Sequence, residues 1–502
     1  MSERDFEHMD QAQFDAMIAE SIYLPPDEDV IDEINPWRRA MCRILWGLGL
    51  NAFTLNFFGL NYLLPAIGAM LVYLGFRALR RENRWFHLCW ALSGLWVLDH
   101  GFLLILNATA WQEAFYAHPA AYVLTAAMTL VQLALLVGLR QGLAAVQQSV
   151  GLSVKVRAAT ALVVWYVVII LLALLASGLG WLVAIPMIIA YIFIIRGMIR
   201  LYRGMEESGY ALRLAPSRMK EGVLAVTVTA IVAVGVLLGL LLGQRYPMDW
   251  QPVRAEEATE TTVIREKLHE LGAPMDVLRD LTAEELADCA DAQRLIVNEG
   301  DYWIDREGGR TSWRSDKDHK ADVRLTFLGI QTGDDPDRWR IIHHFQWVTD
   351  PGFRGTECLT ITPAARQGVT YQGDGQLTGR VLYEKDGGTW AAPYYDLGPQ
   401  VPSQDPMMGM LGWQDNSSRV CARFSLPRKS LGRCYVTYAI EATSDEVCIV
   451  DSWGLYTCQF SPWQYPAHTA VERNHWNISE PFATIQTALQ FVPFEDRLDD
   501  LD

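Results

Sequence analysis

Residues 223–243 read VLAVTVTAIVAVGVLLGLLLG, which is 21 residues without a charged side chain. An α-helix rises about 1.5 Å per residue and the hydrocarbon core of a bilayer is about 30 Å thick, so about 20 apolar residues suffice for one crossing. This stretch predicts a transmembrane helix. It divides the 502-residue chain into a largely apolar part before it and a more polar part after it.

Other apolar stretches precede this helix. Residues 86–106 and 119–139 each predict one span, and the 38 uncharged residues at 158–195 predict two spans with a turn at 177–180. The first stretch, 44–76, has 33 uncharged residues, which is long for one crossing and short for two. It is either a tight hairpin turning near 56–59, or an interfacial helix that starts at 36–39 and is followed by one crossing. The prediction is therefore six or seven spans.

Charge predicts how these spans are oriented. The formal net charge is −8 for residues 1–40, +8 for 41–243 and −16 for 244–502. Thirteen Lys and Arg residues lie in or beside the loops 77–84, 140–157 and 196–220, and none lies in 107–118 or 177–181. Because basic loops stay in the cytoplasm, residues 244–502 are expected to be extracytoplasmic in a multi-pass protein of the cell membrane. The N-terminal tail is cytoplasmic in the seven-span interpretation.

The same pattern excludes several classes of protein. Such an apolar middle part excludes a single soluble globule and a disordered chain. Because the flanking parts are acidic, nucleic acid is not expected as a partner, whereas the lipid bilayer is. The acidic tail, 1–40, carries apolar residues at roughly helical spacing, so it is interpreted either as a docking helix for a cytoplasmic partner or as a weakly helical tail.

The exported part is predicted to begin with short helices and to continue as β-structure. Residues 244–292 are interpreted as a short helical section that either forms a stalk or packs against the next domain, with a capping box at Thr282 and Glu285. About nine strands follow in 293–494, which predicts an antiparallel β-sandwich of jelly-roll type. The predicted strands lie near 323–330, 338–348, 358–362, 379–383, 420–425, 434–441, 447–452, 455–460 and 482–491. Residues 495–502 are expected to be a disordered acidic tail. A hairpin centred on 444–445 brings no two of the six exported cysteines opposite each other, so disulfides and buried free thiols both stay open.

Two groups of residues in the membrane region are candidate sites. Asp99 lies near the middle of its span beside His100, with Gln132 on the next span as a candidate partner. An ionised carboxylate there costs about 2.5 kcal/mol or more, so the group is interpreted either as a proton or cation relay or as a polar clamp between helices. Gly235, Gly239 and Gly243 form a small-residue stripe that predicts close packing, within the bundle or in a homodimer through the last span.

In the β-rich part, Trp339, His343 and Trp347 fall on one face of a predicted strand, together with Ile341 and Phe345. This row is interpreted as core or as an exposed ligand platform. His343 and His344 point to opposite faces and are not expected to share a metal. The acidic loops 316–318 and 334–337 lack the spacing of a known calcium loop.

No catalytic motif of the GxSxG, HExxH, P-loop or CxxC kind occurs in the chain, so neither a cofactor, a metal nor a catalytic residue is predicted. The leading hypothesis is a polytopic membrane protein that displays an extracytoplasmic β-sandwich, which binds an unknown ligand or protein in sensing, signalling or envelope interaction. The alternative is a transporter or channel that uses Asp99 and His100. A membrane-embedded enzyme ranks last.

Overall fold

The computed structural model describes residues 37–53, 59–175, 180–207, 219–253, 259–305, 312–315, 319–333, 338–363, 369–371, 377–399, 419–442, 449–476 and 481–493. These form two compact units, one containing residues up to 104 and 118–232, the other containing 105–117 and 233–502. Several predicted features lie outside the described residues: the tail helix, residues 56–58 of the first turn, residues 177–179 of the second turn, both acidic loops, Cys448 and the C-terminal acidic tail.

The first half of the described chain is helical. Its helices are α1 (Trp37–Ala52), α2 (Leu60–Leu79), α3 (Arg84–Leu106), α4 (Trp111–Ala117), α5 (Pro119–Ser149), α6 (Arg157–Leu175), α7 (Gly180–Glu207) and α8 (Glu221–Leu242). Within the described residues, five helical stretches are long and apolar enough to cross a membrane: α2, α3, α5, Ala184–Glu206 of α7, and α8. A shorter apolar stretch, Arg157–Leu172, lies in α6. The prediction of apolar membrane-spanning helices is confirmed at this level.

The ambiguous first stretch forms two helices, α1 and α2. They lie so close that a Cβ atom placed on Gly68 would come within 2.6 Å of the Gly47 carbonyl oxygen. The Asn51 side chain also donates a hydrogen bond to the carbonyl of Pro65, at 3.0 Å. Of the two helices, α2 has the length of a span, whereas α1 has 16 residues and begins at Trp37.

The second unit continues with three short helices and then β-strands. The helices are α9 (Thr259–Glu270), α10 (Met275–Asp280) and α11 (Ala283–Ala287), and α12 (Ala470–Trp476) follows near the end. The strands are β1 (Gln251–Pro252), β2 (Ala292–Asp305), β3 (Ser312–Arg314), β4 (Val323–Thr332), β5 (Arg338–Trp347), β6 (Glu357–Thr362), β7 (Val369–Tyr371), β8 (Thr378–Lys385), β9 (Gly388–Ala392), β10 (Asp396–Pro399), β11 (Val420–Phe424), β12 (Gly432–Ala442), β13 (Val450–Gln459) and β14 (Phe482–Phe491).

All strand pairs among the described residues are antiparallel and they build two sheets. One sheet has the order β1-β9-β8-β12-β5-β4-β2-β3, with β7 also paired to β12, and the other has the order β10-β11-β6-β13-β14. One buried cluster contains side chains of both sheets. Phe345 of β5 stacks on Tyr456 of β13 with ring centroids 3.8 Å apart.

The helices α9 to α11 pack against the first sheet. Leu268, Leu278 and Leu286 share a buried cluster with Leu328 and Ile342, which lie on the face of that sheet opposite to the shared core. The predicted capping box is confirmed, since Glu285 N donates to Thr282 Oγ1 at 3.2 Å and Thr282 N donates to Glu285 Oε2 at 2.9 Å. The helices α9 to α11 therefore cover one face of the first sheet and do not form a free stalk.

Three details of the predicted strands are wrong. Residues 447–452 and 455–460 do not form two strands, since 450–459 is the single strand β13. The predicted hairpin at 444–445 does not pair its flanks, because β12 bonds to β5, β7 and β8 whereas β13 bonds to β6 and β14. The 14-residue strand β2 had not been predicted at all. Cysteines 289, 358, 421, 434 and 458 are free and buried.

Candidate functional site

The short connection between α3 and α5 lies against the β-rich part of the second unit. Within this connection, residues 105–117, Ala110 N donates to the carbonyl of Gly243 at 2.9 Å, just beyond the end of α8. The Asn107 carbonyl accepts a hydrogen bond from Ala467 N at 2.7 Å, and the Gln112 side-chain amide donates to the Ala467 carbonyl. Two predicted spans therefore lead directly into a segment that is bonded to the C-terminal domain.

An ion pair strengthens this attachment. The Arg423 guanidinium on β11 lies 2.6 Å from Glu113 Oε1 on α4, and the two side chains are 20% and 24% exposed. The other carboxylate oxygen, Oε2, accepts hydrogen bonds from Thr469 Oγ1 at 3.2 Å and from Tyr246 Oη at 3.4 Å. Burial raises the pKa of Glu113, and Arg423 opposes that rise by favouring the charged carboxylate.

A cavity of about 500 Å³ opens beside this ion pair. It is lined by three alanines in or next to α4, two tyrosines, one valine and four charged side chains: Ala110, Glu113, Ala114, Ala117, Tyr246, Tyr395, Asp396, Arg423, Val471 and Glu472. The rings of Tyr246 and Tyr395 stack with centroids 4.6 Å apart. Arg423 Nε also lies 3.3 Å from Asp396 Oδ2. A cavity of this size with both apolar and polar walls has the dimensions of a small-molecule site.

Catalysis is harder to support from the described residues. Ser452 Oγ lies 2.7 Å from His343 Nε2, which is the spacing of a nucleophile and its base. Both side chains are completely buried, however, so a substrate cannot reach them. Burial also lowers the pKa of His343 to about 3, which makes it a poor base near neutral pH. No cluster of three or more His, Cys, Asp or Glu within the described residues has the arrangement of a metal site.

The row predicted on β5 belongs to the core. Trp339, His343 and Trp347 are each 1% exposed or less, and they share one buried environment with Ile341 and Phe345. These side chains do not form an exposed ligand platform, because the second sheet covers them. His344 points to the opposite face, as predicted, where its Nε2 lies 2.9 Å from the buried carboxylate of Asp280.

The intramembrane candidates are on neighbouring helices of the first unit. Asp99 and His100 are partly buried on α3, and the His100 ring lies 5.7 Å from the Trp96 ring. His100 Nε2 has no hydrogen-bond partner among the residues that the structure describes. Gln132 on α5 forms a hydrogen bond with Tyr166. Among the described residues, Gln132 forms no hydrogen bond with Asp99 or His100. The relay and the clamp both stay predictions.

The glycine stripe of α8 is covered by the chain itself. A Cβ atom on Gly235 would lie 2.5 Å from Ile105 Cδ1, one on Gly239 would lie 3.0 Å from Ala108 Cβ, and one on Gly243 would lie 2.6 Å from Thr109 Cγ2. Glycine therefore lets residues 105–109 approach the helix closely. A homodimer through the same stripe would have to displace these residues.

Comparison with known proteins yields no family. No protein-family model and no curated protein matches the chain. Among solved structures, the chain is similar to one titled "AvmM Catalyzes Macrocyclization in Alchivemycin A Biosynthesis", with 9% identity and a TM-score of 0.19, covering 38% of this chain and 95% of that one. A second is the KRT10-binding region domain of the pneumococcal serine rich repeat protein PsrP, with 9% identity and a TM-score of 0.19, covering 39% and 99%.

A third similar structure is the carbohydrate-binding module TmCBM27, described as recognising mannan, with 9% identity and a TM-score of 0.13, covering 30% of this chain and 90% of that one. With identities and TM-scores this low, the function has to be argued from the residues of this chain.

The cavity residues had not been predicted from the sequence. One signal was present, because Glu113 is the single charged residue between Asn107 and His118. A second was Arg423, a cation inside the apolar strand sequence VCARF. Their partnership was hidden, because 310 residues separate the two positions along the chain.

Proposed function

We propose that this chain is a multi-pass cell-membrane protein that displays an extracytoplasmic β-sandwich of jelly-roll type and binds a small ligand in the cavity beside Glu113 and Arg423. Its six or seven spans anchor the domain and respond to its occupancy. In this role the protein is a sensor or a receptor for an envelope component.

The ion pair between Glu113 and Arg423 carries this proposal. It joins β11 to α4, and α4 is the connection between α3 and α5, two of the apolar helices. A ligand in the cavity would touch both partners, because both line it. Binding would therefore change the attachment of the domain to the segment between these helices, which is what transmission of a signal requires.

Two features together support an extracytoplasmic location of the domain. Residues 107–118 contain no Lys or Arg, as expected of a loop on the outer side. The same loop is grouped with residues 233–502 in one compact unit, which supports the proposal that the loop and the C-terminal domain lie on the same side of the membrane. Both features support the same orientation.

A ligand screen on the full chain in lipid nanodiscs tests the proposal. The probes are a muropeptide digest of peptidoglycan, cell-wall oligosaccharides and short peptides, and the readout is the thermal unfolding midpoint. The variant Ala114→Trp fills the cavity from an exposed position, and Ala283→Trp is the control on an exposed alanine of α11.

At least one probe is expected to raise the unfolding midpoint of the wild type and of the control Ala283→Trp, because a ligand that binds the folded state stabilises it. The same probe is expected to leave the midpoint of Ala114→Trp unchanged. If no probe stabilises the wild type, or if the shift persists in Ala114→Trp, the cavity is not the binding site.

A transporter or channel is the second candidate. It is favoured by His100 Nε2, which has no hydrogen-bond partner in the described part of the chain and lies beside the partly buried Asp99. It expects Asp99→Asn to abolish a proton- or ion-dependent flux in proteoliposomes. Absence of any such flux in the wild type would remove it.

A further inference from the structure

Three separate segments of the second unit are bonded to the end of α8. Arg428 Nη2 donates to the Leu241 carbonyl at 2.8 Å. Ala110 N donates to the Gly243 carbonyl at 2.9 Å, and Gln244 Nε2 donates to the Pro462 carbonyl at 3.0 Å. The segments around residues 110, 428 and 462 therefore surround the point where the last apolar helix ends.

Each of these segments carries a large apolar side chain that points away from the protein. Trp111 follows Ala110 and is 56% exposed, Trp463 follows Pro462 and is 65% exposed, and Leu431 lies three residues after Arg428 and is 47% exposed. Exposed cationic side chains, Arg428 and Lys429, accompany Leu431. We call Trp111, Leu431 and Trp463 the interfacial collar.

We propose that the interfacial collar is inserted into the headgroup and upper acyl region of the lipid leaflet from which α8 emerges. A lipid surface is the occupant that fits, since the collar is continuous with a helix that is itself apolar enough to cross the bilayer. Tryptophan concentrates at this depth because its ring is apolar and its indole N–H is polar. Arg428 and Lys429 place cations where phosphate headgroups lie.

This inference goes beyond ligand binding, because it fixes the orientation of the domain on the membrane. Gln459, at the end of β13, donates a side-chain hydrogen bond to Gln244, so this end of the strand lies beside the collar. The other end, near Ile449, is ten residues away, which is about 33 Å at about 3.3 Å per residue. Ile449 is 44% exposed and serves as a matched apolar position on the distal side.

Depth-dependent quenching in nanodiscs tests the collar. In a full-length chain carrying Cys42→Ser and Cys448→Ser, which keeps the six buried cysteines, one cysteine is added at position 463, 431 or 449 and labelled with the fluorophore NBD. The lipids carry a nitroxide near the top of the acyl chain. We expect the label at positions 463 and 431 to be quenched several-fold more than the label at 449, and to be protected from aqueous iodide.

Equal quenching at 463 and 449 would overturn the proposal. So would protection from iodide without quenching by the nitroxide lipid, because that result means that protein covers the collar. Every labelled chain is first checked for the wild-type thermal unfolding midpoint, and the Leu431 label provides a second position if the Trp463 substitution prevents folding. A failed ligand screen would leave this result unchanged, because the collar and the cavity are tested by different readouts.

Discussion

His343 is expected to make the β-rich domain sensitive to mild acid. Its ring is completely buried, and burial lowers its pKa from 6.5 to about 3. The folded chain therefore binds no proton at His343 between pH 6.5 and about 3, whereas the unfolded chain does. Since protons bind to the unfolded state alone in this window, stability is lost as the pH falls through it and is fully present above pH 6.5.

The size of this loss follows from the pKa shift. Between pH 7.5 and pH 5.0 stability is lost only below pH 6.5, at about 1.4 kcal/mol per pH unit. The loss at pH 5.0 is therefore about 2 kcal/mol, or roughly a 30-fold rise in the population of the open state. The variant His343→Gln keeps a neutral polar group next to Ser452 and removes the titration.

Hydrogen exchange read by mass spectrometry on a peptide covering 339–347, in the full chain, measures this difference after correction for intrinsic rates. Between pH 7.5 and pH 5.0, the free energy of opening is expected to fall by about 2 kcal/mol more in the wild type than in His343→Gln, because the other titrating groups are common to both chains. His319→Gln, at an exposed histidine, is the control and should behave as the wild type. Equal losses in wild type and His343→Gln would refute the reasoning.

Three further predictions concern attachment and packing. Arg423→Met leaves the partly buried Glu113 without its countercharge and should weaken the attachment of α4 by about 2–3 kcal/mol, which is measured as faster hydrogen exchange at 107–117. Adding Glu113→Gln should recover part of that loss, and the absence of any recovery would contradict a direct pairing. Gly239→Leu should cost about 1–3 kcal/mol and lower the unfolding midpoint, whereas Gly222→Leu on the same helix meets nothing within 4 Å and should not. Asp280→Asn removes the buried partner of Arg433, 2.6 Å away, and should cost about 3–5 kcal/mol in chemical denaturation. The control Asp276→Asn breaks an ion pair with Arg279 whose side chains are 64% and 69% exposed, and should cost under about 1 kcal/mol.

Local sequence signals predicted the helices and several of the strands. The uncharged runs matched α3, α5 and α8, because exclusion of charge from lipid is a property of consecutive residues. Strands β4, β5 and β14 were close to their predicted bounds, and the opposite directions of His343 and His344 followed from strand alternation.

Pairing between distant strands was not predictable in the same way. The hairpin at 444–445 was expected because its two flanks are neighbours in the chain, yet β12 and β13 belong to different sheets. Which sheet a strand joins depends on long-range packing, such as the stacking of Phe345 on Tyr456. The cavity was hidden for the same reason, since it joins α4 to β11 and to the segment before α12 across more than 300 residues.

The most direct test of the account is the side of the membrane on which the C-terminal domain lies. In right-side-out membrane vesicles of a chain carrying Cys42→Ser and Cys448→Ser, a cysteine added at the exposed position 486 is treated with a membrane-impermeant maleimide. A cysteine added at position 81, in the first basic loop, is treated in parallel. The account predicts labelling at 486 in sealed vesicles, and labelling at 81 only after the vesicles are opened. Labelling at 81 in sealed vesicles, with 486 protected until they are opened, would contradict it.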